Sequence, residues 1–439
     1  MRFNPTKLLE GLLCTVPALL LTLAACGGGG GGTTTAPVVA PSTAPTVTTV
    51  AGCAAINLNW AAVTGATSYN VYGAASGVTP TLSAATTATS YTDAGLAQTT
   101  TYNYQVTATN SAGAGPKSAT ATAMTKGSCA PMGGSIQGNA LTPSGAVSTL
   151  AGAGPSYYGL INGTGAAAQF NLPSGVTTDG TYLYIADTGN SAIRKIVIST
   201  GVVSTLAGTG AAGYVDSASG PAQFHAPQGI TISQDNSTLY VADTGNNAIR
   251  KIVISSATVT TISTAFNAPQ GITTDGMNLY VADTGINAIR QIVISSATVT
   301  TISTAFNAPQ GITTTGTNLF VADTGNNLIK EISGGVVTTL AGTGAAGYAD
   351  SASGSVQFHA PQGITTDGTN LYVADTANNV IRQIVISGAT VTTVAGSTTS
   401  GYVNATGTAA KFYLPNGITT DGTNLYIGDT VNQSIRKIQ

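Results

Sequence analysis

The C-terminal two thirds of the chain consists of short apolar runs separated by Gly, Pro, Asp and Asn. One unit contains residues 268–276 (APQGITTDG), 278–284 (NLYVADT), 288–294 (AIRQIVI) and 297–303 (ATVTTIS). The apolar positions show no helical period. Since nearly continuous apolar runs of this length are typical of strands buried on both faces, each unit is predicted to contain four strands.

The unit recurs six times, 40 to 56 residues apart, and an Asp-Thr pair ends its second run each time. The six aspartates are Asp187, Asp243, Asp283, Asp323, Asp375 and Asp429. Residues 252–274 and 292–314 are identical, which indicates a recent internal duplication. The last copy stops after its third run, whereas residues 145–152 (GAVSTLAG) form a fourth run without the other three. Donation of that strand to the last unit would close a ring and remove its open edges.

The repeated grammar is Pro-x-Gly-Ile, then Leu-Tyr-Val-Ala-Asp-Thr, then Ile-Arg. It resembles the NHL repeat of β-propellers. This resemblance implies that residues 133–439 form a six-bladed NHL-type β-propeller closed by an N-terminal fourth strand. We therefore number the units blade 1 to blade 6 in chain order.

Residues 45–126 contain shorter runs with alternating apolar positions, such as residues 56–60 (INLNW) and 101–110 (TYNYQVTATN). Trp60 and residues 95–102 (GLAQTTTY) resemble the core tryptophan and the tyrosine corner of fibronectin type III domains, with Gln98 in place of the usual Pro. The resemblance implies a fibronectin type III β-sandwich. The expected fold class is therefore all-β, a sandwich followed by a propeller.

The N-terminus is predicted to be a lipoprotein signal peptide over residues 1–25, with a basic start and an apolar stretch too short for a membrane span. Residues 23–26 (LAAC) resemble a bacterial lipobox, which implies that Cys26 is acylated and anchors the chain to membrane lipid. The alternative is an ordinary signal peptide cleaved near Ala25. Gly follows Cys26, so we expect an extracytoplasmic protein on the outer membrane of a Gram-negative bacterium. Residues 26–44 are a Gly/Thr/Pro-rich linker.

Two further cysteines, Cys53 and Cys129, remain in the predicted mature chain, and an even pair in an oxidising compartment predicts a disulfide. Residues 127–132 are predicted to be a linker between the two domains. Charged residues make up 7% of the chain and the net charge is −2, so no nucleic-acid partner is expected.

The Asp-Thr-Gly triplet at Asp243 also occurs at the catalytic aspartate of aspartic proteases. In this chain, however, each such aspartate has a cation seven residues later, and a tight hairpin turn centred on Asn246 and Asn247 would place the two side chains opposite each other. Such a pair is worth about 0.2–1 kcal/mol in a sheet. We call these the clasp pairs and predict a structural role for Asp187/Arg194, Asp243/Arg250, Asp283/Arg290, Asp323/Lys330, Asp375/Arg382 and Asp429/Arg436.

The variable x of Pro-x-Gly begins each innermost strand and is expected to lie at one mouth of the central channel. These ligand-binding candidates are Ser174, Gln228, Gln270, Gln310, Gln362 and Asn416. They could bind a neutral polar ligand such as a sugar or a peptide backbone, or only solvate a water-filled tunnel. Insertions before blades 1, 2, 5 and 6 are expected on the same face. Their aromatic residues Tyr214, Tyr348 and Tyr402 are further candidates, unless the loops only pack on the blades.

The chain has two histidines, His225 and His359, before the Ala-Pro of blades 2 and 5. The peptide-amidating lyases are similar propellers that hold zinc through histidines near the x position, and the streptogramin lyases use a histidine and a glutamate. This sequence has no histidine at x, and two histidines fall short of a zinc site, so we expect no metal and no cofactor. The Asp-Gly pairs expected between the first and second strands are explained better by turn formation than by calcium binding.

These features favour a lipid-anchored binding or interaction protein whose partner is an extracytoplasmic protein, peptide or glycan. The alternatives are a passive envelope or matrix component, or a propeller enzyme of lyase type. A catalytic role would require two titratable groups that converge on the channel, and the sequence offers only His225 and His359 for it.

Overall fold

A computed structural model describes residues 38–51, 55–94, 96–97, 100–125, 140–217, 221–351 and 355–439. The predicted signal peptide, Cys26, Cys53, Cys129 and the linker at 127–132 lie outside these residues, so the predictions made for them stay predictions. Within the described segments, no helix has the length and apolar character needed to cross a bilayer.

Eight strands form two antiparallel sheets in the N-terminal region. They are β1 (Val47–Ala51), β2 (Ala55–Trp60), β3 (Ser68–Ala75), β4 (Thr81–Thr86), β5 (Ser90–Ala94), β6 (Thr101–Asn110), β7 (Gly113–Lys117) and β8 (Ala121–Met124). One sheet has the order β1-β2-β5 and the other β4-β3-β6-β7, with β8 paired to β6.

The two sheets share one apolar core, to which β2 contributes Ile56, Leu58 and Trp60 and the second sheet contributes Val71 and Val106. The Trp60 ring packs edge-on against Tyr69, with centroids 5.4 Å apart. The alternating burial along β2 and β3 follows from the two-residue period of a strand with one face on a core.

Six antiparallel sheets form the rest of the described chain, one per predicted blade. Five have four strands, and the sheet of blade 1 has a short fifth strand as well. The innermost strands are β11 (Pro173–Thr178), β15 (Pro227–Ile232), β19 (Pro269–Thr274), β23 (Pro309–Thr314), β27 (Pro361–Thr366) and β31 (Pro415–Thr420). The second strands are β12 (Tyr182–Asp187), β16 (Thr238–Asp243), β20 (Asn278–Asp283), β24 (Leu319–Asp323), β28 (Asn370–Asp375) and β32 (Leu425–Asp429).

The third strands are β13 (Ala192–Val197), β17 (Ala248–Val253), β21 (Ala288–Val293), β25 (Leu328–Ser333), β29 (Val380–Val385) and β33 (Ser434–Ile438). The outer strands of blades 1 to 5 are β14 (Val202–Ala207), β18 (Thr258–Ser263), β22 (Thr298–Ser303), β26 (Val336–Ala341) and β30 (Thr390–Gly396). The outer strand of blade 6 is β9 (Val147–Ala151), and a two-residue strand, β10 (Gly163–Thr164), pairs with β14.

Short 3₁₀ turns join the second and third strands of blades 1 to 5. They span Thr188–Asn190, Thr244–Asn246, Thr284–Ile286, Thr324–Asn326 and Thr376–Asn378. Two more 3₁₀ turns, Gly165–Ala167 and Gly407–Ala409, lie in the insertions before blades 1 and 6.

The ring closes where the two ends of the propeller meet in blade 6. The strand β9 pairs with β33, with Val147 opposite Ile438 and Ala151 opposite Ile435. The innermost strands contact their neighbours around the whole ring, including β31 against β11. The pairing of β9 with β33 therefore closes the ring and covers the edge of β33 that would otherwise be open.

Apolar cores lie between adjacent blades. The core between blades 1 and 2, for example, combines Tyr184 and Ile193 of blade 1 with Phe224, Leu239 and Val241 of blade 2. Because each blade packs on a neighbour at both faces, both alternating sets of side chains are buried. This packing explains the nearly continuous apolar runs in the sequence.

The insertions contact the turns between second and third strands, on the face where the innermost strands begin, as Asn246 Nδ2 donates to the carbonyl oxygen of Gly213 at 2.8 Å. They also run along the outer edges of the blades. The strand β10 pairs with β14 of blade 1, and Ser217 and Ser351 form backbone bridges to Val259 and Val391, in the outer strands of blades 2 and 5. In blade 6, the insertion reaches the start of the outer strand through a bridge between Ala146 and Thr406.

The glycine of each Pro-x-Gly lies where neighbouring blades approach most closely. A Cβ on Gly271 would overlap the carbonyl oxygen of Gln310 in the next blade, and a Cβ on Gly417 would overlap that of Ser174, which closes the ring. The glycine is therefore required by backbone contact between blades.

We predict that Gly271→Ala lowers the free energy of unfolding by about 1–3 kcal/mol, because the added methyl group forces adjacent blades apart. The matched control is Gly388→Ala, in a surface turn with ordinary φ and space around it, which should be neutral or slightly stabilising. Chemical denaturation measures both. Equal stability of the two variants would contradict the account of the inter-blade contact.

Candidate binding site

The central channel is lined by three successive layers from the innermost strands. At one mouth lie the side chains of Gln228, Gln270, Gln310, Gln362 and Asn416, which we call the amide ring. A girdle of one β-branched residue per blade follows, made of Val176, Ile230, Ile272, Ile312, Ile364 and Ile418. Threonines line the far side, including Thr177, Thr231, Thr273, Thr365 and Thr419.

The two polar compartments are small. The cavity at the amide ring measures about 80 Å³ and the threonine compartment about 50 Å³. Since a buried water molecule needs roughly 10–15 Å³ of such a cavity volume, each compartment holds a few waters or one small polar group. Only the end of a larger ligand could therefore enter the amide ring.

Ser174 does not belong to the amide ring, so its placement at the channel mouth was wrong. Its side chain is buried, and its hydroxyl lies 2.5 Å from the Thr188 hydroxyl and 3.3 Å from the carbonyl oxygen of Gln228. A hydroxyl on a short side chain finds partners in the adjacent backbone, whereas a glutamine amide extends beyond it into the channel.

The amides of the ring differ in their partners. Asn416 donates from Nδ2 to Oε1 of Gln362 at 2.7 Å. Among the described residues, the side-chain amides of Gln228, Gln270 and Gln310 have no protein partner. Each of the three therefore presents one acceptor and two donor hydrogens to the channel mouth.

The clasp pairs form buried ion pairs, but not in the predicted register. Asp243 lies opposite Ala248 and Arg250 lies opposite Val241, because a 3₁₀ turn and Asn247 at φ 55° replace the expected tight turn. The Arg250 side chain reaches back diagonally, and Nη1 lies 2.7 Å from Asp243 Oδ2. In all six blades this nitrogen–oxygen distance is 2.6–3.1 Å.

The same correction applies to Arg194 of blade 1, which was expected directly across from Asp187. Arg194 instead lies opposite Ile185, and Asp187 lies opposite Ala192, because a 3₁₀ turn and Ser191 at φ 49° join the two strands. The ion pair still forms diagonally, with Arg194 Nη1 2.7 Å from Asp187 Oδ2 and both side chains fully buried. Arg194 is therefore ion-paired with Asp187 along the diagonal of the hairpin and not directly across it.

The register error is shared by the four remaining clasp pairs. Each cation lies opposite the residue two positions before its aspartate, as Arg290 does opposite Val281 and Lys330 opposite Val321. Arg382 and Arg436 follow the same rule, opposite Val373 and Ile427. All six clasps are therefore diagonal contacts within a hairpin.

Each clasp carboxylate accepts hydrogen bonds from other groups besides the cation. The backbone amide of the second residue before each innermost strand donates to Oδ1 at 2.7–2.8 Å, from His225 to Asp243 for example. In five blades an Asn of the following turn, such as Asn246, donates to Oδ2. The carboxylate thus fixes its own hairpin and the entry to the inner strand.

Burial raises the pKa of Asp429 to about 6, while Arg436, the amide of Tyr413 and Asn432 oppose that effect. Burial also raises the pKa of the Asp187, Asp243 and Asp375 carboxyl groups. With a pKa of about 6, the Asp429 carboxylate is ionised and paired at neutral pH.

The clasp arginines of blades with insertions also hold those insertions. Arg250 Nη2 donates to the carbonyl oxygen of Val215 at 2.9 Å and to Asp216 Oδ1 at 2.7 Å. Its guanidinium lies between two rings, with its central carbon 5.1 Å from the Phe224 centroid and 5.0 Å from that of Tyr214. Buried side-chain stacking of this kind is favourable for arginine.

In blade 1, Arg194 holds the insertion with fewer groups. Its Nη2 donates to the carbonyl oxygen of Ile161 at 2.9 Å and to Asn162 Oδ1 at 3.0 Å. One ring, that of Phe170, lies 5.1 Å from the central carbon of its guanidinium. Blade 1 therefore keeps the hydrogen bonds of this arrangement without a stacked tyrosine among the described contacts.

The tyrosine candidates lie at the clasps and not at the channel. Tyr348 and Tyr402 stack on Arg382 and Arg436 as Tyr214 does on Arg250. None of the three is among the described residues that line the channel. They support the insertions, which is the packing alternative considered from the sequence.

The threonine of each Asp-Thr pair joins one blade to the next, a role that the sequence analysis missed. Its hydroxyl donates to the proline carbonyl oxygen of the following innermost strand at 2.6–2.8 Å, as from Thr244 to Pro269. Thr430 of blade 6 makes this bond to Pro173 of blade 1 and so completes the ring. The signal was available, because Thr follows Asp in all six copies.

His225 and His359 are exposed at the strand entries, and their backbone amides donate to the clasp carboxylates of Asp243 and Asp375. Neither histidine is among the described residues that line the channel. The part of the chain that the structure describes contains no group of three or more His, Cys, Asp or Glu placed to hold a metal.

The Asp-Gly turns between first and second strands are stabilised by their own aspartates. Asp275 Oδ1 accepts the amides of Met277 and Asn278, and Oδ2 accepts the Tyr280 hydroxyl at 2.8 Å. In blade 5 the segment before β9 covers the same turn, since the Leu141 amide donates to Asp367. These bonds account for the aspartates as turn residues.

No protein-family model matches the chain. NHL repeat-containing protein 2 from Bos taurus is 36% identical over 105 residues, which cover 23% of this chain and 14% of that protein. A poly(3-hydroxybutyrate) depolymerase from Delftia acidovorans is 45% identical over 78 residues, 18% of this chain and 15% of the enzyme. The chain thus spans less than a sixth of the length of these two curated relatives.

Two solved structures from Bacteroides thetaiotaomicron VPI-5482 match most of the chain. A protein of unknown function has a TM-score of 0.58 at 17% identity and covers 92% of this chain and 99% of its own. An auxiliary nutrient binding protein has a TM-score of 0.57 at 16% identity and covers 91% and 99%. The comparisons support an NHL-type β-propeller. At identities of 16–17%, the likeness to these two solved structures shows the fold and not the ligand.

We predict that Arg250→Met lowers the free energy of unfolding by about 3–5 kcal/mol, because it leaves the buried Asp243 charge without its partner. Lys251→Met, one position along the same strand, makes a matched control with an expected effect within about 0.5 kcal/mol. Urea denaturation of both variants distinguishes a buried clasp from a surface pair. A loss for Arg250→Met as small as that of the control would refute the buried clasp.

Proposed function

We propose that the NHL propeller is a binding domain that recognises a neutral polar group through the amide ring at its channel mouth. The observation that carries this proposal is the composition of the lining, five carboxamide side chains around a cavity whose described lining contains no titratable side chain. Such a ring offers hydrogen bonds in both directions without charge, which suits hydroxyl groups of a sugar or amides of a peptide.

Binding is favoured over catalysis because the titratable groups are engaged elsewhere. The clasp carboxylates each hold a cation and a backbone amide, and the two histidines lie outside the channel lining. An acid and a base that converge on one reacting atom are needed for general acid–base chemistry. The auxiliary nutrient binding protein of the same fold is consistent with binding, whereas the depolymerase relative keeps an enzyme as the second candidate.

We further propose that Cys26 carries lipid that anchors the protein at the outer membrane. The linker at 26–44 and a fibronectin type III domain at 45–126 would then hold the propeller away from the lipid surface. Support comes from the lipobox-like residues 23–26 and from the two sheets that share a core around Trp60. A disulfide between Cys53 and Cys129 belongs to the same proposal.

For the channel, we predict that Gln228→Ala/Gln270→Ala/Gln310→Ala protein loses binding to an array of neutral oligosaccharides and peptides while its melting temperature is unchanged. These amides have no protein partner among the described residues, so their removal should leave the fold intact. Gln291→Ala, which removes a glutamine from a third strand, should retain binding. Equal binding of ligands by the triple variant and by wild type would contradict the channel proposal.

For the anchor, we predict that Cys26→Ala moves the protein from the membrane fraction to the soluble fraction, because the acylated residue is lost. Metabolic labelling with a palmitate analogue should mark wild type and not the variant. Retention of Cys26→Ala in washed membranes would contradict lipid anchoring through this residue.

A further inference from the structure

The outer edges of the six blades differ in whether the chain itself covers them. In blades 1, 2, 5 and 6 an insertion lies along or at the start of the outer strand. Among the described residues, no segment lies along the outer strands of blades 3 and 4. Uncovered strand edges offer backbone groups for pairing with another chain.

Blade 2 shows how its edge binds its own insertion. Backbone bonds of 2.8 and 3.0 Å join Val259 and Ser217 in both directions. Asp216 accepts the amide of Thr261 at 2.9 Å and its hydroxyl at 3.0 Å, in addition to Arg250 Nη2. With Tyr214 on the guanidinium, the bound segment therefore has the pattern Tyr-x-Asp-Ser in an extended conformation.

Blade 5 binds its insertion through the same contacts. Arg382 Nη2 donates to Asp350 at 2.6 Å, the Thr393 amide donates to Asp350 at 3.0 Å, and Tyr348 stacks on the guanidinium. In blade 6 an asparagine, Asn404, takes the place of the aspartate and accepts from Arg436 at 2.7 Å. The pattern is therefore an aromatic residue followed two positions later by Asp or Asn.

Blade 3 has the same outer-edge residues as blade 2, but no insertion lies on them in the described residues. Residues 288–306 repeat residues 248–266 with one difference, Gln291 for Lys251, so Arg290, Val299 and Thr301 stand where Arg250, Val259 and Thr261 do. Val259 is fully buried under its insertion, whereas Val299 is partly exposed.

Arg290 retains only the inward half of the contacts that Arg250 makes. Its Nη1 donates to Asp283 and to the carbonyl oxygen of Ala265, and its guanidinium lies 4.9 Å from the Phe266 centroid. In the described residues, Nη2 has no acceptor and no second ring covers the guanidinium. The Thr301 amide likewise has no described partner.

We propose that the outer edge of blade 3, formed by Arg290, Val299 and Thr301, binds an extended peptide of a partner protein with the pattern aromatic-x-Asp/Asn-Ser. The peptide adds a strand to β22, its carboxylate or amide oxygen accepts from Arg290 Nη2 and the Thr301 amide, and its aromatic ring covers the guanidinium. In blade 2 the chain's own insertion supplies the same added strand, the same acceptor and the same aromatic ring. The site is separate from the amide ring, and its test involves no channel residue.

Blade 4 offers a weaker version of this edge. Lys330 replaces the arginine, and its Nζ already lies 2.6 Å from Asp323 and 2.6 Å from the carbonyl oxygen of Ala305. An ammonium group lacks the planar second nitrogen that donates to the peptide carboxylate in blade 2. One tight site per chain is therefore expected.

The test uses the full chain and a fluorescein-labelled peptide, Gly-Ala-Ala-Gly-Tyr-Val-Asp-Ser-Ala, with the sequence of residues 210–218. Fluorescence anisotropy should show saturable binding at one site. Replacing the peptide Asp by Ala should weaken binding about tenfold or more, since a charge-assisted bond is lost, whereas Asn should be tolerated. Thr301→Glu places a like charge beside the peptide carboxylate and should abolish binding.

Thr300→Glu is the matched control, because Thr300 is also exposed in β22 but its equivalent in blade 2 makes no recorded contact with the insertion. It should bind the peptide like wild type, and both variants should melt like wild type. No saturable binding, equal losses from the two substitutions, or equal affinity for the Ala peptide would overturn the proposal. Self-association that Thr301→Glu abolishes would also overturn it, in favour of pairing between two copies of this edge.

Discussion

The buried clasp carboxylate is the constraint on which the propeller depends. Each of the six lies out of water, where an unpaired charge would cost several kcal/mol, so it must collect donors from the chain around it. It does so from a cation on the third strand and from the backbone amide at the entry to the innermost strand. One side chain thereby sets the geometry of a whole blade, and the threonine that follows it binds the next blade.

This arrangement separates the surfaces that stabilise the fold from those that could bind a ligand. The clasps, their aromatic partners and the insertions occupy the outer part of each blade, and their polar groups largely satisfy one another. The amide ring at the channel mouth and the edge of blade 3 both keep polar groups without protein partners in the described residues. The amide ring offers donors and acceptors without charge, whereas the edge of blade 3 offers a cationic donor, so we expect different ligands at the two surfaces.

The architecture could be predicted from the repeat, whereas the local geometry of the sites could not. Six copies of one apolar pattern, with an orphan strand ahead of them, predicted the four-stranded sheets and the pairing of β9 with β33. The register around Asp243 was wrong because the sequence does not show that Asn247 adopts a left-handed conformation after a 3₁₀ turn. The positions of Tyr214 and Ser174 depend on partners distant along the chain, Arg250 and the backbone of Gln228, which no local pattern reveals.

Hydrogen exchange at the strand entries measures the clasp directly. The amides of Asn171, His225, His359 and Tyr413 precede their strands, so without the carboxylate they would exchange like exposed loop amides. These four lie outside the duplicated segments, which makes their fragments distinguishable by mass. The account predicts that they exchange as slowly as the central strand amides of their blades. Exchange within about tenfold of the unfolded rate would show that the carboxylates do not hold the strand entries, and would contradict it.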